Sequence, residues 1–212
     1  MKQLLVTGSL AFISFLCPAQ ENWKLTGDQD GIRSWSRKIP DSRINAVKLE
    51  AVFNTSLSGI TGVIADVARY DSWVFNSRGS RLLKQVSPSE LYYYSEVIFP
   101  WPATNRDFVS HIQVSQDAVT KVVTINANNV SGWEPVHPKR VRINQSNGKW
   151  TLTPISNKEV KAEYVLLVDP GGELPAWIIN SFSSKGLVQT FKNLRSLLQQ
   201  TKKSVVHPGI ED

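Results

Sequence analysis

An α+β fold, with an antiparallel sheet laid around a long C-terminal helix, follows from three features of this sequence. Leu187, Phe191, Leu194 and Leu198 recur at spacings of four, three and four, which is one apolar stripe on a helix. Ahead of that helix, Asp169-Pro170-Gly171-Gly172 is a break, because proline and paired glycines end a strand and turn the chain. Before the break comes a long run of strand-like segments joined by short turn sequences. An amphipathic helix of this kind is stable only when its stripe is covered, so the sheet must cover it.

The first residues are expected to be a leader rather than part of the fold. Lys2 gives a positive start, Leu4 to Leu16 are apolar or small, and Cys17-Pro18-Ala19 puts small residues three and one before a cut. This is the pattern of a secretory signal (residues 1–19) removed after Ala19, with an apolar run too short to span a membrane comfortably. The alternative is a lipoprotein that keeps an acylated Cys17, which bulky Leu16 and Pro18 fit less well. Cleavage removes the only cysteine, and with it disulfides, thiol catalysis and cysteine-based metal sites. An exported chain without cysteine suits a bacterial periplasm or the exterior. Residues 20–203 suffice for one domain, and 204–212 read as a flexible tail. Losing Lys2 takes the formal charge from +6 to 6 − 1 = +5. A modest positive balance is compatible with transient contact with anionic membranes. No Lys/Arg block or motif points to nucleic acid.

Trp23 to Thr26 make a short apolar beginning, and Ile32 to Ile39 read as a strand ended by Pro40-Asp41. In Asn45 to Phe53 the residues Val47, Leu49, Ala51 and Phe53 alternate with Lys48 and Glu50, as in a half-buried antiparallel strand. Asn54-Thr55-Ser56 offers helix caps, and Leu57, Ile60, Ile64 and Val67 then predict a short helix over residues 57–67. Strands follow over 81–86, 91–99, 107–116, 119–127, 139–145, 149–155 and 159–168. Ser87-Pro88-Ser89, Gln116-Asp117-Ala118, Ser146-Asn147-Gly148 and Ser156-Asn157-Lys158 read as the turns between them. Successive hairpins make an antiparallel meander. The closing helix starts near Pro175, where a first turn tolerates proline, and runs to about Lys203. The long connections 100–106 and 128–138 carry tryptophan and proline, as ordered loops at a cavity mouth do.

In order, these pieces resemble the START (StAR-related lipid-transfer) domain of the helix-grip superfamily. They are Asp30-Gly31-Ile32 with Trp35-Ser36-Arg37, Tyr70-Asp71-Ser72-Trp73, Phe99-Pro100-Trp101-Pro102 with Asn105-Arg106-Asp107-Phe108-Val109, and Val141-Arg142. Trp150 with Pro154, and Glu163-Tyr164 through Asp169-Pro170-Gly171-Gly172 to residues 174–180, complete the set. The resemblance implies a curved antiparallel sheet of about nine strands gripping the C-terminal helix. It also implies a tunnel holding one lipid, sterol or similar apolar molecule, in a carrier or sensor rather than an enzyme. The family's familiar members are intracellular, and this chain differs in reading as a single exported domain.

Arg106 is the first candidate ligand-binding residue, because the family has a basic residue in this motif that reaches the cavity. A buried guanidinium needs a carboxylate or a ligand head group. Glu96, on the preceding strand, is the candidate partner. The two readings are a polar anchor at the end of an apolar tunnel and a structural pair of Arg106 with Glu96 or Asp107. Tyr92, Tyr93 and Tyr94 are consecutive on a strand, so Tyr93 points opposite to its neighbours, and whichever face looks inward lines the pocket. Trp73, Trp101, Trp133 and Trp177 stand at element ends or in loops, and Ile178 and Phe182 add bulk to the front of the helix. Each is either pocket wall, membrane contact or core packing.

His111, His137 and His207 show no metal-ligand spacing, and no nucleophile motif or glycine-rich phosphate loop appears, so no catalytic residue, metal or cofactor is expected. The sequence therefore predicts a monomeric carrier of one lipid or sterol-like molecule. The alternatives are an enzyme of the cyclase or hydrolase type, using Glu96, Arg106 and a tyrosine as an acid/base set, and a non-catalytic interaction module with a filled core.

Overall fold

The computed structural model describes residues 22–40, 42, 44–174, 178–179, 185–200 and 206–212. The expected leader with Cys17, and Pro175, Trp177 and Phe182, lie outside them. Among the described residues no helix is long and apolar enough to cross a membrane.

Three strands come first: β1 (Lys24–Gln29), β2 (Ile32–Lys38) and β3 (Asn45–Phe53). Helix α1 (Leu57–Ala65) follows, capped by Ser56, whose side chain accepts from Gly59 N. A 3₁₀ turn (Val67–Arg69) and one helical turn, α2 (Tyr70–Trp73), lead back to the sheet. There follow β4 (Ser77–Ser87), β5 (Glu90–Val97), β6 (Arg106–Gln116) and β7 (Val123–Asn129). The last strands are β8 (Val141–Arg142), β9 (Gln145–Ser156) and β10 (Glu159–Asp169), and α3 (Gly186–Gln200) closes the fold. Nine strands form one antiparallel path in the order β1-β2-β3-β10-β9-β7-β6-β5-β4, with two-residue β8 paired parallel to β6. This is the helix-grip arrangement, with the sheet's apolar face against α1 and α3.

The α3 stripe behaves as its spacing requires. Phe191 and Leu194 are fully covered, while Leu187 and Leu198 pack partly buried against the same core. The inward face of β3 supplies Val47, Leu49, Ala51 and Phe53 to that core, all at most 5% exposed.

Three expectations are corrected. Ser146-Asn147-Gly148 is not a turn: Gly148 lies inside β9, opposite Leu166 and Ala127. Its glycine serves a close approach, since a Cβ there would meet the Tyr164 hydroxyl at 2.7 Å. The strand expected over 139–145 contracts to Val141–Arg142, held against β6. Residues 206–212 are not a loose tail. His207 is 3% exposed and its backbone N–H donates to Ser58 O at 3.1 Å. The Asp212 carboxylate accepts from Ser58 N and Ser58 Oγ, both at 2.7 Å. Gln116 grips the Glu211 backbone through both side-chain ends. The start of α1 leaves N–H groups unsatisfied, and this segment satisfies one of them.

Candidate functional site

The pairing of β5 with β6 decides which side chains reach the helix side of the sheet. Tyr93 lies opposite Ser110, Glu96 opposite Asp107, and Val97 opposite Arg106. Opposed residues share a face and neighbours alternate. Leu91 and Tyr93 belong to the core, so Val97, Phe108 and Arg106 point inward with them. Tyr92, Tyr94, Glu96 and Asp107 therefore point to the outer face. This corrects the expected pocket-lining role of Tyr92, Tyr94 and Glu96, and Tyr93 takes the inward position instead.

Arg106 is 2% exposed on the inward face, but Glu96 is not its partner. Its Nε donates to Pro170 O and its Nη2 to Gly171 O, both at 3.2 Å, and Nη1 donates to Thr104 O. The guanidinium lies 4.6 Å from the Phe99 ring centroid. Burial lowers its affinity for the proton. Arg106 thus ties the β5–β6 loop to the break after β10, and no carboxylate lies within ion-pair distance among the described residues. The expected Arg106–Glu96 pair fails because the register puts the two on opposite faces.

The outer face carries its own closed network. Glu96 Oε2 accepts from Arg140 Nη2 at 2.9 Å, and Glu96 Oε1 accepts from Asn105 Nδ2 at 2.8 Å. Arg142 donates to Asp107 from Nε at 2.8 Å and from Nη2 at 3.1 Å. These two bonds raise the arginine's hold on its proton. Tyr94 donates to Asp107 and accepts from Arg140. Trp133 stacks on Tyr92 at 4.1 Å, and Tyr92 on His111 at 4.3 Å. Together these contacts fasten residues 130–142 to the outside of β5 and β6. Trp133 is a surface brace, remote from the inward face.

Other aromatic candidates divide. Trp73 is 2% exposed and meets Tyr70 edge-on at 5.2 Å, so it packs in the core. Trp101 is 89% exposed on the β5–β6 loop, the loop that Arg106 pins through Thr104. Ile178 is fully covered.

Coverage of the inward face is uneven along the strands. Val160 and Ala162 on β10, Leu152 and Trp150 on β9, and Val123 and Ile125 on β7 are covered to within 6%. Further along the same faces, Tyr164, Leu166 and Val168, Ser146, Ala127 and Asn129, and Phe108 keep accessible surface. Burial nevertheless pushes the Tyr93 and Tyr164 phenols far above the ordinary tyrosine range. The signal for Tyr93 and Tyr164 was alternation, but choosing between faces needed the register. Two surface clefts lie elsewhere. One, of about 490 Å³, is lined by α1, the β4–β5 turn and His207; the other, of about 500 Å³, by residues 130–136 with Arg142 and Asn144. Neither touches Arg106 or the inward side chains of β9 and β10.

Against known proteins, residues 9–204 match the START domain family model. The chain belongs to the START domain family. Its membership accounts for the sheet, the gripped helix and the Asn105-Arg106-Asp107 corner together, and the family is known for lipid binding and transfer. The chain is 28% identical over 181 residues to an uncharacterised Pseudomonas aeruginosa protein, covering 85% of this chain and 88% of that one. It is 24% identical over 189 residues to the phosphatidylcholine transfer protein of Bos taurus, covering 86% of each. A STAR-related lipid transfer protein from Xanthomonas axonopodis superposes with a TM-score of 0.77 at 29% identity, over 84% of this START chain and 99% of that one.

Proposed function

We propose that this START domain carries one lipid or sterol-like molecule between the inward face of the sheet and the C-terminal helix. The supporting observation is the set of inward side chains, Tyr164, Leu166, Ala127 and Phe108 among them, that are only partly buried although they face the helix side of the sheet. An inward face on which β10 and β9 pass from complete to partial coverage is suited to a guest. Taking the guest out of water is the driving term, at about 25 cal/mol per Å² of apolar surface buried.

Arg106 is the polar anchor of this reading. Among the described residues, two of its five N–H groups make no bond and its positive charge has no carboxylate beside it. Residues 175–177 and 180–184 contain no acidic side chain that could supply one. A ligand with a phosphate, carboxylate or strongly polar oxygen would complete the shell. The exposed Trp101 and the loop that carries it would meet the membrane during loading. An exported, monomeric carrier cut after Ala19 completes the proposal. The enzyme reading is weakened, because Glu96 faces away from Arg106 and is already held by Arg140 and Asn105.

The test is transfer of a fluorescent phospholipid between donor and acceptor vesicles. The native chain is expected to accelerate transfer, and Arg106→Gln to slow it by about tenfold, the loss of one charge-assisted contact of ~1.5 kcal/mol. No acceleration by the native chain, with phospholipid, fatty acid or sterol probes, would remove the carrier reading.

A further inference from the structure

A row of stacked rings stands where the inward residues of β10 and β9 pass from complete to partial coverage. Tyr164 on β10 stacks on Trp150 on β9 with centroids 4.4 Å apart, and Trp150 stacks on Phe191 of α3 at 5.2 Å. Phe191 meets Phe53 of β3 at 5.7 Å. The row reaches from β10 and β9 to the helix. On its far side Leu152, Val160 and Ala162 have no accessible surface, nor does Ile125, level with Trp150 on β7. Close packing of that kind leaves no room for a methylene. On its near side lie Leu166, Ala127 and Phe108, which do have accessible surface, and then Arg106.

The ring of Tyr164 is placed by a neighbouring glycine. A Cβ on Gly148 would lie 2.7 Å from the Tyr164 hydroxyl and 3.3 Å from the ring edge. The phenol therefore rests directly on the backbone of β9, one inward position nearer the partly covered end. Any side chain at 148 would lift it off the sheet towards that end.

We propose that the Tyr164–Trp150–Phe191 stack is the closed end of the ligand space, and that Tyr164 resting on Gly148 sets the length of apolar chain accepted. This assignment rests on the carrier reading above. It makes Tyr164 and Gly148 length-selecting residues, while Arg106 receives the polar end. A chain that stops short of the stack buries each added methylene. A longer chain must leave its surplus outside or displace a packed ring.

The experiment is a series of saturated fatty acids of increasing length, competed against a fluorescent fatty acid on the native chain, Tyr164→Ala, Tyr164→Phe and Gly148→Ala. On the native chain, affinity is expected to rise about fourfold per methylene, equivalent to ~0.8 kcal/mol for each buried CH₂, and then to stop rising at one length. Tyr164→Ala moves that break to longer chains, so ligands just beyond the native limit regain the fourfold step. Gly148→Ala moves it to shorter chains. Tyr164→Phe keeps the ring and leaves the break in place, which separates a length effect from loss of the hydroxyl or of the fold. A break unmoved in both Tyr164→Ala and Gly148→Ala overturns the assignment while the carrier reading survives. No binding of any member by the native chain overturns both.

Discussion

Asp107 is 1% exposed on the outer face of β6, with Arg142 closing on it through two N–H groups. Removing one partner from such a pair leaves a buried charge without compensation. Arg142→Ala is expected to lower unfolding stability by about 3–5 kcal/mol in urea titration. Arg33 and Glu50 also form an ion pair, but the Arg33 side chain is 52% exposed. Arg33→Ala should therefore cost at most about 1 kcal/mol. Equal losses from the two substitutions would contradict this ranking. At this scale the sequence carried residue identity and alternation but not register. Tyr93 opposes its neighbours in any strand, yet only the Val97–Arg106 pairing fixes it, with Arg106, on the inward side. A slip of one residue reverses every such assignment, which is why Glu96 looked like a partner and is not.

The C-terminal segment is the element whose behaviour the sequence concealed. Short, polar and charged, it has the composition of a tail, and its contacts are made to residues more than ninety positions away. Its anchor is His207, whose two ring nitrogens are buried. Burial holds this imidazole below the ordinary histidine value, against the nearby carbonyls of Pro88 and Pro208. Asp66 lines the same cleft, and Glu211 and Asp212 sit on the segment itself, but none of these carboxylates offsets the burial. Protonation is easier once the segment has left its seat. Docking therefore contributes fully above about pH 6.5, the unfolded histidine value, and weakens as pH falls from there towards the lower folded value. Hydrogen-exchange protection at Ser58 N, the donor to Asp212, should fall over that range in the native chain. In His207→Phe the fall should be absent, and an unchanged fall would exclude His207 as its cause. Within α3 the stripe was fully legible, because helical spacing and burial coincide there. Leu194→Ala is expected to cost about 2–5 kcal/mol, read from thermal or urea unfolding.

For the whole molecule, two opposed surfaces have separate tasks. The outer face spends its charges on itself, through Arg140, Arg142, Glu96 and Asp107, and braces the loop that carries Trp133. The inward face holds the buried Arg106, beside the partly covered end of β10 and β9. Trp101 projects from the loop at that same end. Trp101→Ala should leave unfolding stability unchanged within about 0.5 kcal/mol, since an 89%-exposed ring packs on little. Vesicle-to-vesicle transfer by that variant should nevertheless slow severalfold, and an unchanged rate would exclude Trp101 from membrane contact. The fold was legible because a gripped helix, a run of hairpins and the Asn105-Arg106-Asp107 corner appear in order along the chain. The proposed ligand space was less so, because it depends on strand register and on how far each inward side chain is covered.

The most direct measurement is native mass spectrometry of the protein purified from its native source, followed by denaturation and identification of whatever is released. The carrier reading predicts one apolar molecule per chain, bearing a polar or anionic end and a chain no longer than the Tyr164–Trp150–Phe191 stack permits. A chain that repeatedly emerges with nothing bound, and takes up no lipid when offered membranes, would contradict it.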